Sequence, residues 1–170
     1  MKTILITSVV ASLALTAGGT AFAAAVAVDQ AFVAKVSQGG MYEVEASKLA
    51  ERKAVAQDVK DFATSEVHDH GLVGDKLKAI SAKANIAING KLNAEFSGKL
   101  SHLDTLSGRT FDVAYMESMA DIHAKDGAAF AKEAAESPNP AYKAFAAETH
   151  VIVLRPVSYT HLTLPTNREV

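Results

Sequence analysis

Between Asp29 and Leu154 apolar residues recur at three- and four-residue spacing, and few stretches interrupt that rhythm. The breaks are Asn85 to Gly90, then Gly108, then Ser137-Pro138-Asn139-Pro140, all rich in turn-forming residues. Long stretches of helical period must cover their apolar stripes with one another, and short connections make neighbouring helices antiparallel. The reading is all-α: an up-and-down four-helix bundle with a short extra helical segment between the second and third long helices. The first long helix is expected from an Asp29 cap to about Arg52, and the second from about Val55 to Ala84. Leu92 to Leu106 is the short segment. A Thr110 cap opens a helix to Glu136, and Pro140 or Ala141 starts the last one. Much of the apolar content is Ala and Trp is absent, which favours close-packed helices over a β-sandwich. A chain of 170 residues forms one domain.

The first residues read as an address. Met1-Lys2 is a short positive start, Ile4 to Leu15 is apolar, and Ala21-Phe22-Ala23 offers small residues to a signal peptidase. A signal peptide over 1–23 is expected, with cleavage after Ala25 nearly as good. The apolar run is short of the ~20 residues needed for a membrane span, and no later run is long enough. The expected location is therefore periplasmic or exported, with no transmembrane span after cleavage. Cysteine is absent, which removes disulfides, lipoprotein anchoring, thiolate metal sites, iron–sulfur clusters and Cys nucleophiles. A formal net charge of -2 argues against a nucleic-acid partner, because phosphate binding needs a basic surface.

Helical projection puts several ionisable residues among apolar ones. Glu43 falls in the middle of the face formed by Phe32, Val33, Val36, Ala46 and Ala50. Glu66 lies within the stripe of Val55, Val59, Phe62, Val73, Leu77 and Ile80, with Asp69 and His70 on its shoulders. Asp126 and Glu133 share a face with Phe111, Tyr115, Met119 and Phe130, and His123 lies at its edge. An unpaired buried carboxylate is costly, so such groups must pair, stay protonated, reach water or bind a cation. Glu43, Glu66, His70, His123 and Asp126 are the candidates, with Asp69 and His150 behind them, and the metal ligands assigned are Glu43, Glu66, His70 and His123. Carboxylate with imidazole would suit iron, manganese or zinc. The plainer alternatives are a wetted or paired Glu43, a local i, i+4 pair of Glu66 and His70, a satisfied interfacial His123, and Met116 and Met119 as core filler. The Glu-x-x-His spacing of di-iron bundles is missing, and no phosphate loop or nucleophile elbow is present. No catalytic residue is assigned.

Phe32-Val33, Gly39-Gly40-Met41-Tyr42-Glu43-Val44-Glu45, Leu49-Ala50 and Val59-Lys60-Asp61-Phe62-Ala63 occur in that order. Asp69-His70, Phe111-Asp112-x-x-Tyr115-Met116 and His123 follow. Together these segments resemble the bacterial domain of unknown function family 4142, over about Asp29 to Arg155. The resemblance implies an exported, ferritin-like four-helix bundle with no settled biochemical activity. The family pattern carries over onto Glu43, His70, Tyr115 and His123. One departure concerns the last helix, which in such proteins continues through a His and further apolar turns. Here Pro156 follows Leu154-Arg155, where a proline disrupts a helix interior. Residues 156–170 lack helical period and resemble a sequencing adaptor translated in frame, so they are expected to be non-native.

The functional expectation is an exported ferritin-like protein that binds a metal between helices. The alternative is a non-enzymatic envelope-stress or protein-interaction module, with an envelope protein as partner, whose inner polar groups fix helix register. A third reading is a small-ligand carrier using the Met-lined inner surface, which would need an apolar cavity of at least a few hundred Å³.

Overall fold

The computed structural model describes residues 17–154, with side chains from Ala27. The expected signal peptide lies largely, and the suspected tail wholly, outside these residues. Five helices follow in order: α1 (Ala17–Lys53), α2 (Gln57–Lys83), α3 (Ala94–Thr105), α4 (Gly108–Glu136) and α5 (Pro140–Val153). No strand occurs among the described residues, so the all-α expectation holds. The order also matches, with the short α3 between the second and third long helices.

The ends of the helices follow from local chemistry. Asn93 caps α3, its Oδ1 accepting the Phe96 N–H at 2.9 Å. Asn139 caps α5 in the same way, accepting the Ala141 N–H at 3.0 Å, and Pro140 supplies a first-turn residue that has no N–H to satisfy. Asn85 closes α2 with φ 56° and Gly108 opens α4 with φ 59°, a region that Asn tolerates and Gly occupies freely. The start of α2 has no cap from its own neighbourhood. There Asp112 of α4 reaches across, accepting the Val55 N–H at 3.1 Å and the Ala56 N–H at 2.9 Å.

Two of the expected caps are corrected. Helix α1 already runs from Ala17, because the Ala-rich stretch before Asp29 continues the helix as readily as any sequence can. Asp29 is consequently an interior, buried residue whose Oδ2 accepts from Asn139 Nδ2 at 3.3 Å. Thr110 lies inside α4, and Ser107 stands in the N-cap position without a side-chain bond. Val55, expected in the α2 stripe, precedes that helix and is exposed.

Helix α1 packs on α2 and α4, α4 on α5, and α2 on α5, while α3 covers α1 and α4. The core divides into two apolar clusters. One gathers Tyr42, Ala46, Val59, Ala63, Phe111, Tyr115 and Met119, and the other Phe32, Val33, Val36, Leu77, Phe130 and Phe145. Five buried ionisable residues lie where the clusters meet: Glu43 after Val36, Glu66 and His70 between Ala63 and Leu77, His123 and Asp126 between Ile122 and Phe130. A polar layer thus crosses the core between two apolar halves. No described helix is long and apolar enough to cross a membrane.

Candidate metal centre

Each long helix that meets α1 delivers its share of the polar layer. Glu43 comes from the middle of α1, one heptad after Val36, so it faces the same way. Glu66 and His70 stand one turn apart on α2, both inward, and His123 comes from α4 next to Ile122. All four are between 1% and 5% exposed. One ligand-type atom from each lies within 4.8 Å of all the others.

The contacts are mutual. His70 Nδ1 is 3.1 Å from Glu43 Oε2, and its Nε2 is 3.1 Å from Glu66 Oε2. His123 Nε2 hydrogen-bonds Glu66 Oε2 at 3.0 Å and lies 3.4 Å from Glu43 Oε1. The two imidazoles are tilted by 31° with centroids 5.6 Å apart, and Phe62 flanks the His123 ring at 6.4 Å. The cluster is not saturated: Glu43 Oε1, His70 Nε2 and His123 Nδ1 are buried without a partner in hydrogen-bond geometry. His70 Nε2 therefore meets Glu66 at ion-pair distance but off the hydrogen-bond direction.

Burial opposes charge on these groups, and their partners overcome it. Burial alone would lift Glu66, yet His123 and His70 hold its carboxyl down at about 2. Burial alone would lower His70, yet the Glu43 and Glu66 carboxylates raise it to about 10. At Asp126 the help from Lys35, His70 and His123 is too weak. Burial first, and then the negative charge of Glu43, push its carboxyl up to about 7. Its Oδ2 occupies the space that a side chain at Gly39 would fill.

The remaining sequence candidates take other positions. Tyr115 lies in the apolar cluster beside Phe62 and Phe111, and its hydroxyl pairs with Ser47 Oγ at 2.7 Å. Burial drives its phenol pKa upward, so it stays protonated. Asp69 and His150 are half-buried and outside the group of four. Met116 and Met119 are fully packed in the core cluster, so the expected Met-lined carrier surface is core instead. Two buried polar partners gave no signal in the sequence: Asp112, whose targets lie over fifty residues away, and Ser47, which reads as an ordinary helix serine.

No curated protein matches this chain. Among solved structures, it is similar to the crystal structure of "putative secreted protein DUF305 from Streptomyces coelicolor". The two share 14% identity and superpose with a TM-score of 0.62, over 74% of this chain and 85% of the other; at that identity the likeness shows the fold alone. The model of the family described as "Domain of unknown function (DUF4142)" matches residues 15–156, and the chain belongs to that family.

Proposed function

We propose that this protein is an exported, ferritin-like four-helix bundle that holds a divalent metal ion through Glu43, Glu66, His70 and His123. The observation that carries the reading is the spacing of the donor atoms. Four ligands at ~2.0–2.1 Å from a tetrahedral ion lie about 3.3–3.4 Å from one another. Taking one donor from each residue, Glu43 Oε1, Glu66 Oε2, His70 Nε2 and His123 Nε2, the close nitrogen–oxygen separations are 3.0, 3.1 and 3.4 Å. An ion would need only small side-chain shifts, and the unpartnered atoms of the cluster supply lone pairs for it.

Charge supports the same reading. Two carboxylates with two neutral imidazoles leave two negative charges in a buried layer, which a divalent cation neutralises. A nitrogen and oxygen donor set without thiolate suits zinc, iron or manganese. The bundle assignment is supported by the closed ring of contacts from α1 to α2, α5, α4 and back to α1. Export is supported by the signal-like start of the chain. We assign metal binding and no catalysis.

A second reading has its own observation. The four side chains already pair with one another, as groups that only fix helix register would. Elemental analysis of protein purified without a His tag or chelator separates the two. Stoichiometric metal that disappears in a Glu43→Ala, His70→Ala double variant supports the metal centre. Metal-free protein that binds no added zinc, iron or manganese and still melts cooperatively overturns it in favour of an interaction module.

A further inference from the structure

Over the second apolar cluster, a groove of about 500 Å³ runs between α1, α2 and the Ile88–Leu92 connection, within the ~300–1,000 Å³ of small-molecule sites. Val36, Val44, Leu77, Phe130 and Phe145 give it an apolar lining. Gly40, Gly71 and Gly74 also line it. All three are inside helices, where glycine is disfavoured relative to alanine. A Cβ at any of them would meet nothing within 4 Å, so packing does not require their small size. What their missing side chains leave is the groove itself. His70 lies at its inner edge, with both ring nitrogens engaged by the Glu43 and Glu66 carboxylates of the polar layer.

The charges around the groove are unequal. Lys48 pairs with Glu45 at 2.9 Å and Lys78 with Asp75 at 3.1 Å. Lys91 is different: its backbone is fixed at both ends, by Asn89 Oδ1 and by Gln38 Nε2. Unlike Lys48 and Lys78, it forms no ion pair among the described residues. One positive charge thus stands uncompensated beside an apolar floor.

We propose that this groove binds a small amphipathic monoanion, a medium-chain carboxylate, with its chain along the glycine-lined floor and its head at Lys91. The inference is independent of the metal reading, since the site needs no ion. The test titrates the full-length, metal-free protein with anilinonaphthalene sulfonate, an apolar anion whose emission rises on burial. Saturable one-to-one binding is expected, displaced by octanoate and not by octylamine. Gly74→Leu and Gly40→Met fill the groove from open positions, and each should weaken binding roughly ten-fold or more while melting stays cooperative. Lys91→Glu, a surface change, should weaken octanoate and leave the melt unchanged. Absence of saturable binding, equal displacement by octylamine, or unchanged affinity in the filled variants overturns the proposal.

Discussion

His70 Nδ1 stands 3.1 Å from Glu43 Oε2, joining α2 to α1 in the middle of the polar layer. The same imidazole faces Glu66 with its other nitrogen, so without metal it is held as a cation between two carboxylates. Its pKa of about 10, against 6.5 for a free imidazole, makes that contact a source of stability. The contribution is complete below pH 6.5 and is lost as pH rises through about 10.

Glu66 and Asp126 complete the pH profile with opposite signs. Glu66 is held at about 2 against 4.5, so its contribution is present above pH 4.5 and lost as pH falls towards 2. Asp126 is raised to about 7 against 3.8, so it costs stability increasingly from pH 3.8 up to about 7. The metal-free protein should therefore melt highest near pH 4 and lose melting temperature steadily towards pH 10. Asp126→Asn should remove the loss between pH 4 and 7 and keep the one above 6.5. Melting curves over that range, with wild type beside the variant, check both slopes; a flat profile in both proteins contradicts the assignment.

Metal binding should couple to the same protons. A ligating imidazole must be neutral, whereas His70 is protonated up to about pH 10 in the metal-free state. Zinc binding should therefore release protons at pH 7 and tighten as pH rises. Calorimetry in buffers of different ionisation enthalpy counts those protons. Binding without proton release would place the ion elsewhere.

Gly39 and Asp126 form a tight pair between α1 and α4, in which a side chain at 39 would overlap Asp126 Oδ2. Gly39→Ala should cost about 1–3 kcal/mol by forcing the carboxyl aside, despite the better helix propensity of alanine. The cost should shrink in Gly39→Ala, Asp126→Ala, because the clashing atom is gone. Denaturant unfolding of the four proteins in that cycle measures the coupling. Equal costs in both backgrounds would mean that the two residues do not touch.

The buried Ser47–Tyr115 pair makes a similar cycle. Ser47→Ala strands the Tyr115 hydroxyl in an apolar cluster and should cost about 1–3 kcal/mol. Tyr115→Phe strands Ser47 instead, and the double variant should lose less than the two singles together. The cycle is read from urea midpoints with unchanged slopes. Since neither residue touches the Glu–His cluster through these hydroxyls, metal content should stay at the wild-type level in all three.

The inward set of Glu43, Glu66, His70 and His123 was legible because helix period alone decides which residues share a face. Periodicity also gave the helix order, and the turn residues before Pro140 gave the start of α5. It missed the earlier start of α1, since an Ala-rich stretch carries no stop signal and Asp29 looks like a cap wherever it falls. Periodicity says nothing of depth along the bundle, so the meeting of α1, α2 and α4 at one level needed the packing itself. The groove was invisible for a related reason: Gly40, Gly71 and Gly74 read as weak points in helices, and only their open surroundings reveal what they leave.

Asp112 was equally hidden, because its partners are backbone groups of a distant segment. Its carboxylate accepts from Val55 N–H at 3.1 Å and Ala56 N–H at 2.9 Å, the N-cap amide of α2 and the one before it. The negative charge also faces the positive end of the α2 dipole. Asp112 is fully buried, so water cannot replace it when the side chain is cut away. Asp112→Ala should therefore cost about 1–3 kcal/mol, because two backbone donors lose their buried acceptor. Asp112→Asn keeps one acceptor oxygen and should recover part of the loss. Hydrogen exchange gives the decisive readout: in the Ala variant, amides in the first turn of α2 should exchange faster than those around Leu77. Uniform acceleration along α2 would instead show that Asp112 supports the whole fold rather than that helix end.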